Sequence, residues 1–236
     1  MRWGTYVAIG DSFTEGVGDP LPDGSMRGWA DLVAAGLGAR YANLAVRGRR
    51  LKEIASGQVA PALALAPDLV SLTAGGNDAL RPGFDLDAVM EGFEEAVERL
   101  AEEADVLLFR FPDLSLRLPF PQVLRRRITG MNEAISDLAA RHGALVTDLS
   151  DDPALDSPAL WLDDRIHLNP AGHRHVAARV LNTLTGAPAP PPERPAGPFD
   201  RSGWRWAAGH LGPWLGRRLR GGSSGDGRAA KRPVPL

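Results

Sequence analysis

Short apolar runs alternate with longer amphipathic stretches along most of the chain. The runs are rich in Val, Leu and Ile, which is typical of strands buried on both faces of a parallel sheet. We predict five such strands, at residues 6–9, 39–43, 69–73, 106–109 and 144–147.

Apolar residues between these runs recur every three or four positions, which predicts amphipathic helices. One helix contains Trp29 and ends at Gly38, two more cover 89–100 and 128–139, and Asn169-Pro170 opens a fourth. Strands that alternate with helices imply a parallel sheet covered by helices on both faces. In such sheets the loops leaving the carboxyl ends of the strands build the functional site.

The composition is that of an ordinary globular protein, with 236 residues of which 44% are hydrophobic. It has no cysteine, which excludes disulfides, thiolate zinc sites and a cysteine nucleophile. No apolar stretch has the length of a signal peptide or a membrane span, so we expect a cytoplasmic protein without a transmembrane segment.

The character of the chain changes after residue 186, where a proline-rich stretch leads into a basic tail with Trp204, Trp206 and Trp214. Residues 187–236 hold nine Lys/Arg and three Asp/Glu, a balance of +6 that leaves −8 on residues 1–186. We therefore predict a domain over 1–186 and a linker with a tail over 187–236. We favour docking of the tryptophans on the acidic domain, and the alternative is peripheral contact with an anionic membrane surface. No nucleic-acid partner is expected.

The segment after the first strand reads Gly10-Asp11-Ser12 and suggests three familiar loops. A phosphate loop needs a lysine that is missing here, and the dinucleotide fingerprint needs a third glycine that is also missing. The nucleophile elbow G-x-S-x-G fails because Asp11 and Phe13 flank Ser12. What remains is a serine nucleophile at the exit of the first strand.

A serine nucleophile needs a base and a group that orients the base. His167 lies just before the last predicted helix, with Asp163 and Asp164 close upstream. A purely structural contact between an aspartate and this histidine fits the local pattern equally well. The other four histidines suit other roles: His142 at a helix end, His173 and His175 packed or solvated in the last helix, and His210 in the tail.

Two further strand exits carry candidate donors for an oxyanion, which forms when a nucleophile attacks a carbonyl. Asn77 offers a side-chain amide in Gly75-Gly76-Asn77-Asp78, and Gly48 offers a backbone N–H. Taken singly, the first is an ordinary turn sequence and the second a loop glycine.

Together these segments resemble the GDSL or SGNH hydrolase superfamily over residues 4–185. Gly10-Asp11-Ser12 with Gly16 matches the first block of that superfamily. Residues 43–48 match the second block, 75–78 the third and 164–167 the fifth. Phe13 replaces the namesake leucine at a position that packs rather than reacts.

The resemblance implies a three-layer α/β/α sandwich with a five-stranded, flavodoxin-like parallel sheet. It assigns Ser12 as nucleophile, His167 as base and Asp164 as the residue that orients His167, although Asp163 remains a rival. The N–H groups of Ser12 and Gly48 and the side chain of Asn77 would form the oxyanion hole, with no metal or organic cofactor.

The activity implied is hydrolysis of a small-molecule carboxylic ester through an acyl-enzyme. A thioesterase, a carbohydrate O-deacetylase or an acyltransferase would use the same residues. A non-enzymatic alternative is a role in membrane-surface or partner binding carried by the tail.

Overall fold

The computed structural model describes residues 2–191 and 224–235. Its centre is a parallel sheet with the strand order β2-β1-β3-β4-β5. In the register of this sheet, Val7 pairs with Ala42 on one side and with Val70 on the other. All five predicted strands are confirmed, with each end within one residue. They are β1 (Thr5–Ile9), β2 (Arg40–Asn43), β3 (Leu69–Leu72), β4 (Asp105–Arg110) and β5 (Leu145–Asp148).

Helices connect the strands, and short 3-10 turns occur at Leu114–Leu116 and Pro158–Leu160. The α-helices of the described residues are α1 (Ser12–Glu15), α2 (Trp29–Leu37), α3 (Leu51–Leu63), α4 (Gly76–Ala79), α5 (Leu86–Ala101), α6 (Pro121–His142) and α7 (Pro170–Thr185). None of them is long and apolar enough to cross a membrane.

The sheet buries both of its faces because successive side chains of a strand point in opposite directions. On β1, Tyr6 and Ala8 join the core formed with α2 and α7, whereas Val7 and Ile9 join the core formed with α3, α5 and α6. The predicted three-layer α/β/α sandwich is therefore confirmed.

Helix α3 is absent from the sequence-based prediction. Its buried face contains Leu51, Ile54 and Val59 but also the polar Gln58. Gly57 and Pro61 lie within it, and both residue types disfavour helices. The apolar period is therefore weak, and packing against α5 stabilises the helix instead.

The end of the predicted tail lies against the body of the protein. Arg232 forms an antiparallel bridge with Asn43, in which each backbone N–H donates to the other residue's carbonyl at 2.8 and 2.9 Å. The three tail tryptophans and His210 lie outside the described residues, so their docking and the domain boundary at 186 stay predictions.

Candidate active site

Ser12 is the first residue of α1, directly after the turn that ends β1. Gly10 in this turn has φ +153°, and a Cβ there would collide with Thr73 Oγ1, so only glycine fits. The side chain of Gln58 holds the turn, because its Oε1 accepts from Gly10 N at 2.7 Å and its Nε2 donates to Gly10 O at 3.0 Å. Helix α3, which the sequence analysis did not predict, thus contributes the side chain that holds the backbone turn before Ser12.

The loop that carries His167 is closed at its base by a bridge between Trp161 and Leu168. Inside the loop, Leu162 N–H donates to His167 O at 2.8 Å. Asn169 then begins α7, since its side chain accepts from Gly172 N at 3.0 Å in an N-cap. These contacts hold His167 at a defined position before the helix.

Asp164 contacts His167 through both of its carboxylate oxygens. Oδ2 lies 2.6 Å from His167 Nδ1, and Oδ1 accepts the N–H groups of Ile166 and His167 at 3.0 Å. The side chains of this pair are each 26% exposed, whereas Asp163 is an exposed surface residue. The geometry therefore pairs His167 with Asp164 rather than with Asp163.

The pKa of Asp164 reflects these contacts. Burial would raise this pKa, but the hydrogen bonds from the side chain and backbone of His167 outweigh burial and hold it below its ordinary value. Asp164 thus stays ionised at neutral pH, in the form that accepts a hydrogen bond from the imidazole ring.

A tight seam joins the Ser12 segment to the His167 segment. Gly18 has φ +105°, and a Cβ there would collide with the carbonyl oxygen of Leu168.

The buried side chain of His173 lies beside this close approach. Its Nε2 donates to Val17 O at 3.1 Å, while its Nδ1 accepts from Trp29 N at 3.2 Å. Burial lowers the pKa of His173 to about 4, so the ring is neutral and can make both bonds. Across this seam the described residues contain no hydrogen bond from Ser12 Oγ to His167; such bonds often tighten only when substrate binds.

Residues beside the three predicted oxyanion donors contact one another. Val46 N–H donates to Gly10 O at 3.2 Å, which places the exit of β2 beside the turn before Ser12. Asn77 Nδ2 donates to Asp11 Oδ2 at 2.8 Å and to Arg49 O at 3.1 Å. Both amide protons of Asn77 therefore have an acceptor in this structure.

Asp11 is a site residue to which the sequence reasoning assigned no role. Burial raises its pKa to about 6, although hydrogen bonds from Phe13 N and Asn77 and the nearby His167 oppose the rise. The sequence signal that could have identified Asp11 is its position, one residue before Ser12 and inside the segment that matches the first block of the superfamily.

The remaining described histidines do not lie at this site. His142 is 3.5 Å from Glu94 Oε1 at the end of α6, and His175 is buried with Nε2 2.8 Å from Asp152 Oδ2. Like His173, His175 is packed rather than solvated. Within residues 2–191 and 224–235, no group of His, Asp and Glu could hold a metal ion.

The parallel sheet carries a serine directly after β1 and an Asp–His pair just before α7, which are the residue types of a serine hydrolase. The sequence profile of the GDSL-like Lipase/Acylhydrolase family matches residues 8–175. The chain belongs to this family and is a carboxylic ester hydrolase.

Several solved structures have the same fold. An alpha/beta hydrolase from the metagenome of Lake Arreo is 25% identical, with a TM-score of 0.65 over 76% of this chain and 94% of that one. A variant of the acetyl xylan esterase Axe2 from Geobacillus stearothermophilus is 20% identical, with a TM-score of 0.68 over 81% and 100%. A putative lipolytic protein of the G-D-S-L family from Desulfitobacterium hafniense is 20% identical, with a TM-score of 0.64 over 77% and 99%. No curated protein sequence matches this chain.

Proposed function

We propose that this protein hydrolyses small carboxylic esters through a triad of Ser12, His167 and Asp164. The observation that carries the proposal is the 2.6 Å contact between Asp164 and His167, on a loop packed against the segment that follows Ser12. A base that is oriented by a carboxylate, together with a serine at a strand exit, supplies the groups that activate a hydroxyl nucleophile.

The reaction proceeds in two transfers of an acyl group. His167 Nε2 takes the proton from Ser12 Oγ as Oγ attacks the carbonyl carbon, and then gives this proton to the departing alcohol. Water next attacks the acyl-enzyme while His167 takes its proton, and the collapse of the second tetrahedral intermediate releases the acid and restores Ser12. Asp164 stabilises the imidazolium in both transfers.

The oxyanion of each intermediate is held by the N–H groups of Ser12 and Gly48 and by the side chain of Asn77. The longer bond of the Asn77 amide, 3.1 Å to Arg49 O, gives way to the oxyanion, whereas the 2.8 Å bond to Asp11 keeps the amide in place. Each such donor contributes roughly 3 kcal/mol of transition-state stabilisation.

The substrate we propose is an acyl ester. Catalytic mutants of Axe2 replace a serine, an aspartate or a histidine by alanine, the same three residue types as the proposed triad. Axe2 acts on acetylated xylan, so acetylated sugars belong in a substrate panel beside p-nitrophenyl esters and acyl-CoA thioesters. Ester formation in the presence of an added alcohol would reveal an acyltransferase.

Replacement of the nucleophile tests the proposal directly. Ser12→Ala should abolish turnover of a short-chain p-nitrophenyl ester and labelling by a fluorophosphonate probe, with unchanged thermal unfolding. Ser56→Ala, at an exposed serine of α3, is the control and should keep both activities. If Ser12→Ala retains turnover and labelling, another residue is the nucleophile.

A further inference from the structure

The described end of the chain, residues 224–235, packs along the edge strand β2 and the loop that follows it; we refer to this segment as the C-terminal clamp. At one end of the clamp, Gly225 lies so close to the loop that a Cβ would collide with Arg47 O. At the other end, Arg232 pairs with Asn43, the last residue of β2. The clamp therefore contacts the chain at the end of β2, at Asn43, and again within the loop that carries Gly48, at Arg47.

Lys231 of the clamp extends its side chain into the body of the protein. Its Nζ donates to Arg27 O and lies 2.5 Å from Asp31 Oδ2 on α2, and the two side chains are 12% and 17% exposed. Burial lowers the pKa of Lys231 and raises that of Asp31, while each charge favours the ionised form of the other. Removal of one partner would leave a buried charge without its ion-pair partner.

A continuous chain of hydrogen bonds leads from Asp31 into the sheet. Tyr41 OH donates to Asp31 Oδ2 at 3.2 Å, and Asn43 Nδ2 donates to Tyr41 OH at 2.8 Å. Tyr41 and Asn43 are both buried, so their polar groups depend on these partners.

Asn43 extends the chain to two backbone groups near the proposed catalytic residues. Its Nδ2 also donates to Thr14 O at 2.8 Å, in the short helix that begins at Ser12. Its Oδ1 accepts from Ala45 N at 3.0 Å, in the loop that leads to Gly48. Asn43 thus fixes the nucleophile helix relative to the loop of an oxyanion donor.

The same two segments are also joined by an ion pair. The carboxylate of Glu15 accepts from Arg47 N at 2.6 Å and from its guanidinium Nε at 2.9 Å. Because Gly225 rests on the backbone of Arg47, the clamp supports this second connection as well as the first.

We propose that the C-terminal clamp positions Ser12 and Gly48 for catalysis and that Lys231 is its positioning residue. Lys231 touches no reacting atom; it compensates Asp31 and so completes the polar chain through Tyr41 and Asn43. This inference rests on the proposed serine esterase function. It assigns part of the catalytic efficiency to a segment that lies beyond the 8–175 region matched by the family profile.

The full-length variant Lys231→Met removes the charge and keeps the aliphatic stem. We expect kcat for a short-chain p-nitrophenyl ester and the rate of fluorophosphonate labelling at Ser12 to fall about tenfold, with KM within about twofold, because small displacements of reacting groups cost at least this much. The double variant Lys231→Met/Asp31→Asn removes the uncompensated charge and should recover most of both rates. Arg228→Met, at an exposed position of the same segment, is the control and should match the unchanged protein.

Gly225→Val provides a second perturbation at the opposite end of the clamp, where the side chain would strike the backbone of Arg47. Gly225→Val should lower kcat and the labelling rate in the same way. If Lys231→Met does not fold, this variant tests whether the clamp positions Ser12 and Gly48. Thermal unfolding of each variant separates loss of structure from loss of reactivity.

Unchanged labelling and kcat in a folded Lys231→Met or Gly225→Val variant would overturn the inference. So would a double variant that regains thermal stability without regaining kcat, since Lys231 would then serve stability alone. These outcomes differ from failure of the proposed function, in which the unmodified protein is itself neither labelled at Ser12 nor active on esters.

Discussion

Two aspartates at the same edge of the sheet, Asp11 and Asp164, have opposite pKa shifts. Asp164 accepts hydrogen bonds from two backbone N–H groups and from the His167 ring, and its pKa is below its ordinary value. Asp11 accepts from Phe13 N and from the amide of Asn77, and burial raises its pKa to about 6.

The difference shows how the environment divides the tasks of one residue type. Asp164 is close to a partner that can carry a positive charge, so its ionised form is stabilised and suits the support of an imidazolium. Asp11 is held mainly by neutral amides in a more enclosed position, so its ionised form is costly. We infer that Asp11 is a positioning group for Asn77 and Asp164 a member of the proposed triad.

The largest effect should follow from a change to Asp164. Asp164→Asn removes the charge and permits the wrong tautomer of His167, so we expect kcat to fall by about 10³–10⁴-fold. Asp163→Asn, at the exposed neighbour, is the matched control and should change kcat little. Steady-state kinetics with a p-nitrophenyl ester measures both, and the opposite ranking would make Asp163 the orienting residue.

The second effect tests the seam that brings the two aspartates to one site. Gly18→Ala places a Cβ against Leu168 O at φ +105°, so the Ser12 and His167 segments must separate. We expect kcat/KM to fall about 100-fold, since misplacement of about 1 Å has this cost. Gly24→Ala is the control: it also has a positive φ, +83°, but has open space around it, so it measures the effect of backbone strain without a steric collision. Equal losses in both variants would show that strain alone is responsible.

A third, smaller effect is expected from Asp11→Asn. The neutral side chain is a weaker acceptor for the Asn77 amide, so kcat at pH 8 should fall about tenfold. At pH 5 the Asp11 carboxyl is already protonated, because its pKa is about 6, and the deficit should shrink. Profiles of kcat against pH for both proteins check this, and a constant deficit at both pH values would contradict a role through ionised Asp11.

The smallest effect concerns the stability of the same variant, Asp11→Asn. We expect its free energy of unfolding to rise although its activity falls. The folded pKa of Asp11, about 6, lies above the ordinary value of 3.8. The stability contributed by proton binding is therefore fully present below pH 3.8 and is lost as the pH rises through 6. Asp11→Asn stays neutral, so it should unfold with a free energy up to about 3 kcal/mol higher at pH 8.

Urea unfolding at pH 8 and at pH 4 measures this gain, which should nearly vanish at the lower pH. A lower free energy of unfolding for the variant at pH 8 would show that the lost hydrogen bonds outweigh the removed charge.

The prediction of the strands from sequence succeeded because each strand is buried on both faces and must be continuously apolar. Helix α3 escaped prediction for the converse reason: its buried face contains Gln58, whose partner is the backbone of Gly10, far away in sequence. Polar residues that satisfy distant backbone groups interrupt the periodicity on which such predictions depend.

The candidate site, like the fold, could be predicted from the sequence only in part. Ser12, Gly48, Asn77 and the Asp164–His167 pair were found from short motifs because each follows a predicted strand or precedes a predicted helix. Their catalytic roles remain predictions until the variants are measured. Motifs alone indicated neither the pKa of Asp11 nor the buried pair of Lys231 and Asp31.

The sequence by itself determined the five strands and their alternation with helices, the residue types available for catalysis and the absence of cysteine chemistry, because these depend on local pattern and composition. Only the tertiary structure decided which aspartate pairs with His167, where the amide protons of Asn77 go, and that the end of the chain returns to β2. These features depend on contacts between residues far apart in the chain, whose distances and desolvation follow from packing rather than from local pattern.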